Sequence, residues 1–184
     1  MKLLRSLFLM LVAGVSVFAT TVIPPTFDQL VNDAELIFQG TVTATNPRWV
    51  IYGSDKYIVT DVTFRIEESI KGLPGESYTI QMMGGTIDGE TLEVDGPKFK
   101  VGDRDILFVE HNRQQFIPLV GIMHGRFRVQ KDSAGRETVT KDSGISLANV
   151  DKLGTDERGA VNGPALAASD FKAAIRERLL HPRR

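Results

Sequence analysis

The chain carries few residue types suited to chemistry, and their spacing limits what they can do. A hydrolytic triad needs a nucleophile beside a histidine and an orienting carboxylate. Serines 54, 69, 77, 133, 143, 146 and 169 fall in turns, strands or caps, and none occupies a Gly-x-Ser-x-Gly elbow. His111 and His124 stand at the two ends of the 105–130 region, with Glu110 beside the first. Two imidazoles and a carboxylate are a donor set for catalytic zinc or iron, and one intervening hairpin would bring them together. Neighbours such as Glu110 and His111 point to opposite faces of a regular strand, however. The expectation is no metal site, with His111 in a solvated loop and His124 in a turn beside Gly125; these three residues are the weak candidates. There is no cysteine, which removes disulfides, thiolate metal sites, thiol nucleophiles and a lipidated N-terminal cysteine.

Binding chemistry is better represented. Arg126 and Arg128 share a strand face one repeat apart, and Arg65 is placed to join them from another strand. Such a row suits an anionic glycan or the acidic surface of a partner. The same arginines can instead pair with Glu67, Asp61 or Asp105 across a sheet. Trp49, Tyr52 and Tyr57 flank a turn and offer an aromatic contact of the kind oligosaccharide-binding barrels use; Trp49 is expected to plug the core. Gly84-Gly85, after Met82-Met83, permits a close backbone approach, to a ligand or as a barrel corner. No Lys-Ser/Thr follows, so it is not a phosphate loop. Asp103 and Asp105, and the acidic run Asp88, Glu90, Glu93 and Asp95, lack the EF-hand pattern and read as solvated, edge-protecting charge. Glycoside hydrolysis by paired carboxylates needs a deeper cleft than a small barrel offers. No cofactor loop is present.

These side chains must be held by a single domain of 184 residues, with 22 basic and 23 acidic residues and 42% apolar content. Near-neutral charge excludes a general nucleic-acid binder. Lys2 and Arg5, then the apolar run Leu7 to Val17 and Val17-Phe18-Ala19, form an export signal expected to be cleaved after Ala19. The run is too short to span a bilayer, so no stable membrane insertion follows cleavage. Thr26 caps a short helix to about Asp33, with Phe27, Leu30 and Val31 on one stripe. Strands follow from Leu36, with a break at Asn46-Pro47, and then from Tyr57 to Ile70, where Val62, Phe64 and Ile66 alternate with polar residues. Ser77 to Met83 returns, Asp88-Gly89 turns a hairpin, Asp105 to Glu110 is a further strand, and a loop leads to the apolar run Phe116 to Val120. Arg126 to Gln130 pairs with Glu137 to Thr140. Residues 142–164 show no sustained period and read as a flexible connection. A C-terminal helix follows, capped by Ser169, with Phe171, Ala174, Ile175, Arg178 and Leu179 on one face. The domain plan is therefore 1–19 signal, 20–141 β domain, 142–164 connection and 165–184 helix. The fold expected is mainly β: a small antiparallel OB-like barrel or sandwich of about eight strands with a helix at each end.

Residues 34–42 (ADX-like Ala34-Glu35-Leu36 through Val42), 62–72 (ending Lys71-Gly72) and 99–108 (Val101-Gly102-Asp103 through Phe108) resemble a family of exported bacterial β-barrel proteins of unassigned function. Gly84-Gly85-Thr86, Pro118 to Gly121 and Gly125 to Val129 are its more specific part, and the likeness covers about residues 28 to 131 plus the C-terminal helix. The strand order is more distantly similar to netrin-like and metalloproteinase-inhibitor-like OB barrels. The resemblance implies an extracytoplasmic OB-like barrel and brings no catalytic residues. The inhibitors chelate zinc through an N-terminal cysteine, which this chain lacks. The functional expectation is an exported, non-enzymatic binding module, periplasmic or extracellular, whose partner is an envelope protein or glycan. A metal-dependent hydrolase using His111 and His124, and a structural envelope component, are the alternatives.

Overall fold

The computed structural model describes residues 23–182, so the export signal read in residues 1–19 and the last two arginines lie outside it. Helix α1 (Phe27–Asp33) opens with a full capping box. Gln29 N–H donates to Thr26 Oγ1 at 3.2 Å, and Thr26 N–H to Gln29 Oε1 at 2.8 Å. Its end is closed by Lys71, whose Nζ donates to the carbonyls of Val31 and Asn32.

Strands β1 (Leu36–Tyr52) and β2 (Asp55–Lys71) form a long hairpin across Gly53-Ser54. The expected break at Pro47 does not occur. Pro47 pairs with Thr60 inside β1, beyond the stretch 36–41 that meets β6, so its missing N–H falls on an edge. β3 (Ser77–Met83), β6 (Arg104–Val109), β7 (Arg126–Lys131) and β8 (Glu137–Lys141) complete one antiparallel sheet of order β3-β2-β1-β6-β7-β8. β4 (Gly85–Ile87) and β5 (Glu90–Leu92) make the separate hairpin expected at Asp88-Gly89.

The fold is thus mainly β with eight strands, and its large sheet is open. Side chains alternate along β6 into two cores. Ile106 and Phe108 join Phe127, Val139 and the helices on one face, where Phe27, Phe108, Phe127 and Phe171 contact ring to ring. Leu107 and Val109 join Phe38, Val62, Phe64, Ile80 and Leu119 on the other. Helix α3 (Ala168–Leu180) covers the first face through Phe171 and Ile175. It is tied down by Lys172 and Arg176 to Glu68, and by Arg178 to Asp28 and Asp151. Its cap position is Ala167, so Ser169 lies within the helix.

The two outermost strands, β8 and β3, are both covered. Beside β8, Val139 N–H donates to Leu166 O, and Leu147 N–H to Val139 O. Residues 142–164, expected to lack elements, hold a 3-10 turn (Val150–Lys152) and helix α2 (Glu157–Val161), and place Leu147, Leu153 and Ala160 in the core. Beside β3 the segment 112–119 crosses from β6. Val109 bridges to Leu119, and Met83 N–H donates to Phe116 O at 2.7 Å. Phe116–Val120 therefore spans the gap between β3 and β6 without forming a strand. Asn112 acts as a surrogate strand residue: its Oδ1 accepts from Gln81 N–H at 3.0 Å, and its Nδ2 donates to Thr79 O at 2.9 Å and to Tyr78 Oη at 3.1 Å. Asn112→Ala leaves those β3 groups without partners. It is expected to cost about 1–3 kcal/mol in denaturant unfolding and to increase self-association through the bared edge. An unchanged midpoint and a monomeric mass would show that Asn112 does not hold this edge.

Candidate functional site

The 111–116 loop does more than cover an edge. His111 and Arg113 both adopt left-handed backbone, with φ of 47° and 67°. Such non-glycine conformations cost on the order of 1–3 kcal/mol each, and the three hydrogen bonds of Asn112 between them offset that cost. The loop thereby forms the wall of a recess of about 250 Å³, lined by Tyr52 and Tyr57 from the β1–β2 arm, Gln81 and Met83 from β3, and Arg113 and Phe116. Gln81 alternates with Ile80 and Met82 of the second core, so the recess opens on the opposite face. The Tyr52 and Tyr57 rings lie 6.1 Å apart with planes inclined at 50°.

A relay of side chains fixes one of these rings. Asp61 holds Arg48 at 2.6 Å, Arg48 Nη2 donates to Gln81 Oε1 at 2.9 Å, and Gln81 Nε2 donates to Tyr52 Oη at 2.7 Å. Tyr52 accepts that bond, so its own hydroxyl proton is free for a ligand. The Tyr57 hydroxyl, the Arg113 guanidinium and the Gln114 side-chain amide make no hydrogen bond or ion pair among the described residues. Phe116 is 67% exposed and Tyr52 44%. The sequence marked the two tyrosines as a possible contact. It gave no sign of Gln81 or of 113–116, because an amide inside a strand and a polar loop carry no pattern of their own.

The three arginines expected to form a row are divided. Phe64 and Ile66 belong to the second core, which turns Arg65 to the helix side, where it stands 3.7 Å from Glu67 and largely exposed. Phe127 and Val129 belong to the first core, which turns Arg126 and Arg128 to the other side. Arg126 is 2% exposed. Its five N–H donors are all used: two on Asp105, at 3.0 and 3.1 Å, one each on Asp103 and Asp142, and one on Lys98 O. The Phe99 ring lies 4.1 Å from its Cζ. Arg126 therefore presents nothing to the surface, and Arg128, 3.2 Å from Asp103, is half-buried.

Trp49 does not plug the core. It lies half-buried on the arm, its Nε1 donating to Asp88 at 3.3 Å and Lys56 Nζ sitting 3.7 Å above the ring. Gly84 and Gly85 form the corner where the β4–β5 hairpin meets the arm. Gly84 O accepts from Thr60 Oγ1 at 2.7 Å, and a Cβ on Gly85 would come within 2.4 Å of Thr60 Oγ1. His111 Nδ1 stands 3.7 Å from Glu110, because the strand ends at Val109 and the left-handed turn folds the imidazole back. His124 lies elsewhere, beside Lys141 and Glu157. Burial, followed by the Lys141 charge, pushes it below its ordinary value. No group of three His, Asp or Glu side chains placed to hold a metal occurs among the described residues, so Glu110, His111 and His124 do not converge.

Two expectations concern the Arg126 cluster. Arg126→Met leaves Asp105 buried without its counter-charge and is expected to cost about 3–5 kcal/mol in chemical unfolding; a near-neutral result would remove Arg126 from the framework. Burial pushes the Asp105 carboxyl up to about 6, against the attraction of Arg126. The folded chain then holds this proton more tightly than the unfolded chain, whose carboxylate titrates near ~3.9. The contribution of Asp105 to stability is thus complete below about pH 4 and is lost as pH rises through about 6. For Asp103 burial also acts upward, but the Lys100 N–H and the two arginines outweigh it and hold it low, so its contribution is lost in acid instead. Carboxyl ¹³C titration, assigned with Asp105→Asn, is expected to give a midpoint near 6 for Asp105; a midpoint in the ordinary range or lower would mean that the Arg126 attraction exceeds burial. No protein-family model, curated protein or solved structure matches this chain.

Proposed function

We propose that this protein is an exported, non-enzymatic binding module and that the Tyr52–Tyr57–Phe116 recess receives its ligand. The observation that carries the reading is a preformed recess with open aromatic faces and uncommitted donors. The Tyr52 ring and the loop backbone are held in place before any ligand arrives, which lowers the entropy lost on binding. The residues that line it are Tyr, Val, Gln, Met, Arg and Phe, which supply contact area and hydrogen bonds and no paired acid and base. The basic, apolar and small-residue order of residues 1–19 supports work outside the cytoplasm, on an envelope protein or glycan. No helix among the described residues is long and apolar enough to cross a membrane.

Amide NMR spectra of the labelled protein, recorded with a panel of short peptides and saccharides, test this reading. At least one class is expected to shift Tyr52, Tyr57, Gln81 and residues 113–116 together. Tyr57→Ala combined with Phe116→Ala is expected to weaken that binding at least about tenfold, equal to 1.4 kcal/mol, at an unchanged unfolding midpoint. Binding that survives the double substitution, or a panel that leaves these amides unmoved, would overturn the assignment of the recess.

A further inference from the structure

Resting on the recess as the binding site, we propose that its ligand is an acidic saccharide: a sugar ring against Tyr52 and Tyr57, with its carboxylate on Arg113. The polar groups on offer are mainly donors. Tyr52 has its proton free because Gln81 already donates to its oxygen, and Tyr57 Oη, the Gln114 amide and the Arg113 fork are uncommitted. No carboxylate is among the lining residues. The hydroxyl protons of a neutral sugar would therefore meet only amide and phenol acceptors, whereas a carboxylate meets a planar, always-charged guanidinium able to bind it bidentately.

The walls select a ring over an extended chain. Tyr52 and Tyr57 meet at 50°, and the exposed Phe116 adds a third aromatic surface. These flat, rigid faces suit the C–H face of a pyranose, while their hydroxyls reach its rim. A peptide that docks by strand addition needs free main-chain groups on the neighbouring edge. Here Asn112 takes Gln81 N–H and Thr79 O, and Phe116 O takes Met83 N–H, so the β3 edge beside the recess is already used. The volume, about 250 Å³, lies below the range of about 300–1,000 Å³ of pockets that enclose drug-sized ligands, so the recess takes a small unit and not a whole oligosaccharide.

Short oligosaccharides of glucuronate, galacturonate and N-acetylneuraminate, their methyl esters, the matching neutral oligosaccharides and an acidic proline-rich peptide would be titrated by NMR. At least one acidic sugar is expected to shift the Arg113 Nε–H together with Tyr52 and Tyr57. Its methyl ester is expected to bind at least tenfold more weakly. Arg113→Gln is expected to give the same loss, while Arg136→Gln, on the distant β7–β8 turn, leaves affinity unchanged. Equal binding of acid, ester and neutral sugar, or no effect of Arg113→Gln, overturns the acidic class and leaves the recess as a binding site. Binding of the peptide alone overturns the saccharide class and again leaves the site. Failure of every probe to move the recess amides overturns both.

Discussion

A sheet buried on both faces has unpaired backbone only at its two edges, and in this protein the covering of those edges shapes everything outside the sheet. β6 is buried along nearly its whole length, so the sheet cannot be shortened to hide its margins. At β8 the cover is the chain between 145 and 166, which brings Leu147 and Leu153 into the helix-side core and delivers α3 to the face it covers. At β3 the cover is the loop from β6, held by one asparagine side chain and one carbonyl. Unsatisfied strand edges are a liability for aggregation. In the loop that closes this one, two residues adopt left-handed backbone, and Arg113 and Phe116 line the recess with the tyrosines.

Charge is handled by the same economy of space. Arg126 and its carboxylates fill the margin of the second core, where Phe99 stacks on the guanidinium and packs edge-on against Phe64. The cluster joins β6, β7, the Lys98–Asp103 turn and the start of the 142–164 segment through a single side chain. Ion pairs so deeply buried add little net stability over an apolar substitute. What they impose is alignment: five donors can be satisfied only when four segments stand in one arrangement.

Much of the fold was legible because local chemistry and tertiary need agree. Thr26 and Gln29 form their capping box, Asp88-Gly89 turns its hairpin, and Val62, Phe64 and Ile66 face one way, as their alternation requires. Pro47 misled because a proline break is a local rule, while the edge that tolerates it is a tertiary fact. The same gap separates Arg126 as a surface cation from Arg126 as a buried hub. Neither the helix-side packing of Phe127 nor the position of Asp142 can be read from spacing. Of the recess, the tyrosines were visible as aromatics about a turn, whereas their partners come from an edge loop whose path depends on an unpaired strand distant in sequence.

The corner at Gly84-Gly85 connects these observations. Beyond Val59 the β1–β2 arm has no β3 beside it, and what steadies it is the β4–β5 hairpin. Gly85 lies against Pro47, Ile58 and Thr60, and Asp88 at the hairpin tip holds Trp49. A side chain at Gly85 would have to displace Thr60 or swing the hairpin away, and the arm carrying Tyr52 and Tyr57 would lose its support. The glycine pair is therefore the corner on which the support of the arm, and of the two rings it carries, depends.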